Sequence, residues 1–248
     1  GEVRQRLDSL LDEHSEAKWS EDRPQQTEYA MAAAGAFQPT DTHGNPRVVV
    51  AEAGTGVGKT LGYLAPASVW ADKNESAVWL STYTRNLQRQ LDGEIDRLYP
   101  DRAEKALRAV VRKGRENYLC LLNFEDALKE GAASDLVTLG LVARWIQATR
   151  DGDMIGGDFP AWLGDLLGRR RTVELTDTRG ECIYSACSHY GKCFIEKSVR
   201  RARRARLVIA NHALVMVQAA LGPDDQTRAV RYVFDEGHHL FEIGRAHV

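Results

Sequence analysis

The sequence predicts an α/β domain with a parallel sheet covered by helices, interrupted by a small and mainly helical domain. Short apolar, β-branched runs alternate with helical patterns, as in parallel sheets whose strands are joined by helices. A glycine-rich turn ending in Gly-Lys-Thr follows the first of these runs. The alternation stops between residues 112 and 206, and all four cysteines lie in that interval. We therefore divide the chain into residues 1–111, an inserted domain at 112–206, and 207–248.

The composition is that of an ordinary globular protein. Of the 248 residues, 43% are hydrophobic and 27% are charged, and the net charge is −2. Residues 1–50 carry 5 basic and 9 acidic side chains, whereas residues 112–206 carry 17 basic and 13 acidic ones. No apolar run reaches the roughly 18–20 residues that span a bilayer, and no signal peptide is visible. We therefore expect a cytoplasmic protein whose cysteines serve as ligands or redox groups.

A phosphate-binding loop is predicted at residues 51–60, Ala-Glu-Ala-Gly-Thr-Gly-Val-Gly-Lys-Thr. Residues 47–50 are predicted to form a buried strand before it, and residues 61–66 to begin a helix. Glycines let backbone N–H groups surround a phosphate, and the helix N-terminus adds its positive dipole end. Lys59 then reaches the β- and γ-phosphates, and the Thr60 hydroxyl holds Mg²⁺. The predicted nucleotide-binding residues of the loop are Ala53 (where the strict pattern has glycine), Gly54, Thr55, Gly56, Val57, Gly58, Lys59 and Thr60.

Two helices are predicted upstream of the loop, at residues 2–18 and from Pro24 to about residue 37. The second begins within Arg-Pro-Gln-Gln, residues 23–26. An amide side chain has both a donor and an acceptor for the edge of adenine, so Gln26 is a candidate for recognising the base. Considered without the loop, the same residue is better explained as part of a helix surface.

Downstream of the loop the alternation continues. Residues 77–82 are predicted to form a strand, residues 84–98 an amphipathic helix and residues 107–111 a third strand. Ligands bind at the carboxyl ends of parallel strands, so the hydroxyl side chains of residues 81–84 are candidates for contacting a nucleic-acid backbone. A role in capping the end of the strand explains them equally well.

The cysteines indicate a metal or a cluster. Cys182, Cys187 and Cys193 have the spacing C-x4-C-x5-C, and Cys120 lies far upstream. Thiolates that close a long loop in a reducing compartment imply a metal ion or an iron–sulfur cluster. Zinc usually takes gaps of about two to four residues within each pair, so the wider gaps favour a four-iron cluster without excluding zinc. Helical patterns are predicted between the cysteines at 121–129, 135–149 and 159–168.

Basic residues gather on both sides of the cysteines. Positive charge with interleaved aromatic rings is typical of surfaces that bind single-stranded nucleic acid. A solvated helix face is the ordinary alternative for the arginine run. The basic residues of the two clusters are Arg112, Lys113, Arg115, Arg200, Arg201, Arg203, Arg204 and Arg206, and the rings are Tyr118, Tyr184, Tyr190 and Phe194.

The sheet is predicted to resume after the insert. Residues 207–211 form a strand, a helix runs to about residue 221, and residues 222–225 form a turn. The next strand, residues 231–235, ends in Asp-Glu-Gly-His, residues 235–238, which we call the acidic box. In combination with the phosphate loop, Asp235 is predicted to hold Mg²⁺, and Glu236 to orient and deprotonate the attacking water.

These motifs together resemble those of the iron–sulfur superfamily 2 DNA helicases of the DinG/XPD type, in particular the bacterial DinG helicases. The resemblance covers roughly residues 19–241. Beyond the phosphate loop, the cysteines and the acidic box, it includes Arg23 and Gln26 at the adenine motif, Ser-Thr-Tyr-Thr-Arg-Asn-Leu-Gln-Arg-Gln-Leu at 81–91, Lys-Gly-Arg-Glu-Asn-Tyr-Leu-Cys at 113–120, and Asn-His-Ala-Leu at 211–214.

The resemblance implies a RecA-like motor domain, interrupted by a cluster domain, that uses ATP and Mg²⁺ to move 5′ to 3′ on single-stranded DNA in DNA repair. It implies a four-iron, four-sulfur (4Fe-4S) cluster on Cys120, Cys182, Cys187 and Cys193. It gives His238 the role of coupling hydrolysis to DNA movement. With the basic insert, the predicted DNA contacts are Thr82, Arg85, Arg112, Lys113, Arg115, Tyr118, Arg200 and Arg203.

Helicases of this kind have a second motor domain whose arginines act on ATP, and such a domain is missing from these 248 residues. We therefore expect a monomer that binds ATP and Mg²⁺ but hydrolyses slowly and does not unwind DNA alone. Two alternatives stay open. One is a nucleic-acid-binding ATPase module clipped by zinc or a cluster, and the other is an ATPase that remodels RNA or protein.

Overall fold

The computed structural model describes residues 1–12, 24–39, 47–54, 56–177, 180–220 and 229–243. The chain forms two compact units. We call residues 1–111 with 202–248 the sheet unit, and residues 112–201 the insert. The predicted helix beyond residue 12 and the predicted turn at 222–225 lie outside the described residues.

The helices and strands follow one another as the alternation predicts. Within the described part of the chain, none of the helices combines the length and the apolar character needed to cross a membrane. In chain order the elements are α1 (Glu2–Asp12), α2 (Pro24–Ala34), α3 (Lys59–Asn74), β1 (Ala77–Thr82), α4 (Arg85–Leu98), α5 (Arg102–Arg108), β2 (Ala109–Val111), α6 (Leu121–Glu130), α7 (Leu136–Ala148), α8 (Ala161–Glu174), α9 (Phe194–Ala202), β3 (Leu207–Asn211), α10 (His212–Ala220), β4 (Ala229–Phe234) and α11 (Leu240–Ile243).

The described strands form one parallel sheet in the order β2-β3-β1-β4, which confirms the α/β class. Residues 207–210 of β3 are fully buried, as expected for a central strand covered on both faces. Thr82 at the end of β1 pairs with Asn211 at the end of β3, and Ser81 pairs with Phe234 at the end of β4. The ends of β1, β3 and β4 therefore meet at one edge of the sheet.

Helix α3 joins the phosphate loop to the core. Leu64, Ala65 and Ala67 on this helix have no exposed surface. Gly62 faces the ring of Tyr29 on α2, where a Cβ atom would lie 2.6 Å from Tyr29 Cδ1. Small residues on α3 therefore allow the helices upstream of the loop to pack closely against it.

The predicted strand before the phosphate loop is wrong. Residues 47–50 form no strand, and Val48 and Val50 are 74% and 92% exposed. The Arg47 guanidinium donates instead to the carbonyl of Gly35 and to Gln38 Oε1 (3.4 and 2.9 Å). These contacts hold residues 47–50 beside the turn that follows α2. Because the segment pairs with none of the described strands, it does not form a strand itself.

The third predicted strand is shorter than expected. Residues 107 and 108 belong to α5, and β2 begins at Ala109. The Asp101 carboxylate accepts hydrogen bonds from two backbone N–H groups of the first turn (2.6 and 3.3 Å) and so caps the helix. The helix continues past Leu107, which is consequently 74% exposed.

The insert has a hydrophobic core of its own. Helix α8 was predicted to end near Gly168. The helix is interrupted at Gly168, which has a φ of 73°, and a further helical stretch continues to Glu174. The core is formed by residues of α6 to α9, of the segment before α6 and of the segments between these helices: Tyr118, Leu119, Phe124, Leu139, Val142, Trp145, Met154, Leu163, Leu175, Phe194 and Ile195.

Candidate functional site

The phosphate loop enters α3 through two glycines with positive φ. The φ angles are +85° at Gly56 and +79° at Gly58, and α3 begins at the next residue, Lys59. Lys59 and Thr60 are half-buried in the first turn, where an α-helix leaves its N–H groups without partners in the helix. This is the local geometry that a phosphate group requires. The other described loop residues are Ala53, Gly54 and Val57, whereas Thr55 lies outside the described residues.

Gln26 lies against the phosphate loop. Its side chain is 2% exposed, and its Nε2 donates to the carbonyl of Gly58 (3.0 Å). Its Oε1 is buried and has no hydrogen-bond partner among the described residues. Gln26 therefore braces the loop and keeps one acceptor for another group, while its recognition of adenine stays a prediction. Arg23, predicted beside it, lies outside the described residues.

The two predicted Mg²⁺ ligands meet at one phenol. The Tyr63 hydroxyl donates to Asp235 Oδ2 at 3.0 Å and also interacts with the Thr60 hydroxyl. Burial, followed by the nearby Asp235 carboxylate, raises the pKa of Tyr63 well above its usual 10. Tyr63 is therefore a protonated donor at neutral pH. Sequence analysis did not identify it, although it lies one helical turn after Lys59.

The acidic box turns away from the sheet directly after β4. The backbone N–H of Asp235 donates to the carbonyl of Ser81 (2.9 Å). Glu236 has left-handed backbone angles (φ 56°, ψ 44°), which are uncommon for a residue other than glycine. Its carbonyl accepts from the N–H of His239 (3.1 Å), and its side chain is exposed. The box is thus a tight turn that presents Glu236 to solvent, with His238 also exposed.

Two histidines join the acidic box to the end of β1. The ring of His239 stacks on Tyr83, with centroids 3.8 Å apart and planes 10° apart. His212 is 1% exposed at the start of α10, with Nδ1 2.7 Å from the Ser81 hydroxyl oxygen. Sequence analysis assigned neither histidine a role. The only signal was that His212 belongs to the Asn-His-Ala-Leu motif.

All four cysteines line one cavity of about 420 Å³ in the insert. They are unpaired and half-buried. Burial is the main cause that raises the pKa of the Cys120 thiol above its usual value. Among the described residues, no group of three or more His, Cys, Asp or Glu side chains is arranged to hold a metal ion. The four predicted ligands therefore border one cavity, but they are not gathered into a metal-binding arrangement among the described residues.

Three of the predicted DNA contacts are buried. Tyr118 is 3% exposed within the core of the insert, and its hydroxyl accepts from the N–H of Lys113 (3.2 Å). The expectation that its ring stacks on a base is therefore not met by this structure. Thr82 and Arg112 are 1% and 8% exposed, so neither presents a free surface to a nucleic-acid strand.

Two further predicted contacts form ion pairs inside the insert. Lys113 pairs with Asp153, and Arg115 Nε donates to Asp177 Oδ2 at 2.6 Å. The Arg115 guanidinium also lies over the Tyr184 ring, 5.1 Å from its centroid. Because both carboxylates are buried, these basic residues stabilise the insert by neutralising them.

The remaining predicted contacts reach the surface. Arg85 and Arg203 are exposed, and Arg200 is half-buried over the ring of Tyr190 (5.7 Å to the centroid). Arg85 begins α4 immediately after the segment that ends β1. It is therefore an exposed positive charge near the sheet edge where the acidic box lies.

Comparison with known proteins finds helicases that are similar to this chain. No family model matches the chain. The ATP-dependent DNA helicase YoaA of Haemophilus influenzae is 32% identical over 237 residues, 89% of this chain and 33% of that protein. The ATP-dependent helicase DinG of Mycobacterium tuberculosis is 32% identical over 239 residues, 87% of this chain and 34% of that protein. Over most of its own length, the chain is similar to DinG-type helicases.

A third relative is the protein named 3′-5′ exonuclease DinG of Bacillus subtilis, 29% identical over 210 residues, 84% of this chain and 22% of that protein. The chain spans about a third of the length of the other two relatives. Each of the three matches covers at least 84% of this chain, so each leaves at most 16% of it unmatched. Because the insert is larger than that share, the similarity extends over both units.

Proposed function

We propose that this chain is the ATP-binding motor part of a 5′–3′ DNA helicase of the DinG type. One observation carries the proposal: the Tyr63 hydroxyl, one turn into the helix that follows the phosphate loop, donates to Asp235 Oδ2 at 3.0 Å, although the two residues are 172 positions apart in sequence. A phosphate loop and an acidic strand end that share one contact form the two halves of an Mg²⁺–nucleotide site. The helicase names of the relatives supply the reaction.

Each residue then has a defined task in ATP hydrolysis. Lys59 contacts the β- and γ-phosphates, while Thr60 and Asp235 hold Mg²⁺ directly or through water. Glu236 orients the attacking water and accepts its proton, for which its exposed side chain is accessible. Arg23 and Gln26 recognise adenine, and His238 passes the state of the site to the DNA-binding surface.

Nucleotide binding and hydrolysis by the 248-residue chain test this function. We propose that the second motor domain of the family is needed for fast turnover, because arginines from a partner domain contribute about 10³–10⁵ in the rate of related phosphoryl transfers. The chain should then bind ATP with Mg²⁺, hydrolyse it slowly and unwind nothing. Failure to bind ATP would remove the proposal, and robust DNA-stimulated unwinding would refute the need for a second domain.

We include a 4Fe-4S cluster in the proposal, held in the cysteine cavity. The residues fit the group because four thiols, the usual donor set of such clusters, line one space. A bound cluster supplies a covalent clamp and a one-electron centre. The chain contributes the fixed positions of the sulfur atoms: Cys120 precedes α6, and the other three lie in the short turns before α9. The buried Cys120 thiol must release its proton when it becomes a ligand.

Single-stranded DNA is the proposed partner, in the cytoplasm and with the protein as a monomer. We predict that Arg85→Ala weakens binding to an oligothymidine about three- to tenfold. Loss of one phosphate contact should also reduce the slope of log K against log salt by about 0.7. Fluorescence anisotropy at several salt concentrations measures both quantities. Arg4→Ala, which removes an exposed arginine of α1, is the matched control, and an equal loss in both variants would argue against a contact at Arg85.

Tyr63→Phe should lower the affinity for ATP about tenfold in the presence of Mg²⁺ and leave it unchanged without Mg²⁺. Phenylalanine keeps the buried ring but removes the hydroxyl that contacts Thr60 and Asp235. Loss of a hydrogen bond that orients a metal ligand typically costs about 10–100-fold in metal affinity. Isothermal titration with and without Mg²⁺ measures the difference. Identical affinities in both proteins would show that the phenol does not organise the ligands.

A further inference from the structure

Ser81 is bonded to two different strand ends. Its carbonyl accepts from the N–H of Asp235 (2.9 Å), and its hydroxyl lies 2.7 Å from Nδ1 of His212. Ser81 and His212 are each 1% exposed. A hydrogen bond between buried groups is shielded from competing water, so this pair fixes the start of α10 to the end of β1.

The His212 ring also lies against the acidic box. The backbone of Glu236 and Asp235 is close enough to favour the charged ring, but burial, the larger effect, lowers the pKa of His212. A neutral imidazole has one nitrogen that donates and one that accepts. If the Ser81 hydroxyl donates to Nδ1, then Nε2 carries the proton. Nε2 is buried and has no hydrogen-bond partner among the described residues.

The aromatic surroundings hold the ring in place. The centroid of Phe234, the last residue of β4, lies 5.8 Å from that of His212, and the centroid of Tyr83 lies 6.3 Å from it on the β1 side. The imidazole is therefore packed between the residues that precede the acidic box and those that follow β1. A buried nitrogen without a hydrogen-bond partner lowers the stability of the fold. We therefore expect the histidine to serve a function at this position.

We propose that His212 is a positioning residue that holds the acidic box in place for Mg²⁺–ATP through its contacts with Ser81, whose carbonyl accepts from the N–H of Asp235, and with the ring of Phe234. Glu236 has left-handed backbone angles, a conformation that persists only where surrounding groups enforce it. His212 is one of those groups, and Ser81 fixes His212 in turn. This inference rests on the proposed function, because it assigns the box to Mg²⁺–ATP.

His212→Phe tests the role, because phenylalanine fills the ring space and removes both nitrogens. The affinity for ATP is measured by titration with and without Mg²⁺. Removing a residue that orients a metal ligand weakens metal binding. We therefore expect Mg²⁺ to raise the affinity for ATP about tenfold less in the variant than in the wild type. The Mg²⁺-free affinity should not change. Amide hydrogen exchange should rise at His239, whose N–H donates to the Glu236 carbonyl.

Ser81→Ala removes the hydroxyl at the other end of the same contact. It therefore tests the inference even if His212→Phe folds poorly. It should reduce the Mg²⁺ enhancement in the same direction. Ser68→Ala is the matched control, because it removes a buried hydroxyl of α3 that donates to the Ala65 carbonyl of its own helix (2.9 Å). His212→Asn, which keeps a polar group near Ser81, should recover part of the enhancement.

Two outcomes would overturn the inference. Wild-type Mg²⁺ enhancement in both His212→Phe and Ser81→Ala would show that the box does not need this contact. A parallel fall of affinity with and without Mg²⁺ would show a general structural role instead. If the wild type itself binds ATP without any dependence on Mg²⁺, the proposed function fails, which is a different result from either of these.

Discussion

Lys59→Ala is expected to weaken Mg²⁺–ATP binding by about 100-fold and to leave the fold intact. Lys59 is the first residue of α3, directly after Gly58 in its left-handed conformation, and it is half-buried. In the proposed function the ammonium contacts the β- and γ-phosphates, and a charge-assisted hydrogen bond is worth up to about 3 kcal/mol. Alanine is the strongest helix former, so α3 should persist. Titration with a fluorescent ATP analogue measures the loss.

A second lysine of the same helix provides the control. Lys73 lies in the last turn of α3, is well exposed and pairs with Glu2 at the surface. Lys73→Ala removes the same charge from the same helix without touching the loop, so nucleotide affinity should stay at the wild-type value. If both variants bind as well as the wild type, the phosphate loop does not hold the nucleotide. If both lose affinity equally, the effect is one of overall charge.

The strands that the sequence located best are the central ones. The predicted bounds of β1 and β3, residues 77–82 and 207–211, are those of the structure. Both strands are buried on their two faces, so their apolar runs are continuous and end sharply. The start of α4 was predicted equally well, because the Thr84 hydroxyl accepts from the N–H of Leu87 (3.2 Å) as a helix cap. Local chemistry decides these boundaries.

Residues 47–50 carry the same β-branched pattern and yet form no strand. A strand exists only where a neighbour completes its hydrogen-bond ladder, and that neighbour is remote in sequence. Here Arg47 bonds to Gly35 and Gln38, which draws the segment to the turn after α2. A pattern of apolar residues shows that a segment favours a strand. It does not show whether another strand is available to pair with it.

The same distinction applies to the site. The phosphate loop and the acidic box are short motifs, so the sequence predicted them. The contacts of Tyr63 with Asp235 and of Ser81 with His212 join residues 172 and 131 positions apart, which a local pattern does not reveal. For the same reason the sequence did not reveal the ion pairs of Lys113 and Arg115, because their carboxylate partners lie 40 and 62 residues away.

Cys120→Ser is expected to abolish bound iron. The wild type, purified without oxygen, should carry about four irons and four sulfides per chain and absorb visible light as a brown protein. Cys120 contributes one of the four sulfur atoms that line the cavity, and of the four cysteines it alone precedes α6. Its N–H donates to the Leu175 carbonyl and its own carbonyl accepts from Phe124, so serine keeps the backbone contacts and changes only the sulfur. Iron, sulfide and zinc analysis with a visible spectrum measures the outcome.

The control for the cluster is Ser185→Ala, an exposed hydroxyl between Cys182 and Cys187 that does not line the cavity. Its iron content should equal that of the wild type. One zinc per chain and no iron in the wild type would refute the cluster and leave a zinc clip, because four thiolates can also bind a single zinc ion. Mg²⁺–ATP binding should survive in either case, since the phosphate loop and the acidic box both belong to the sheet unit. Loss of ATP binding together with iron in Cys120→Ser would instead show that the nucleotide site depends on the insert.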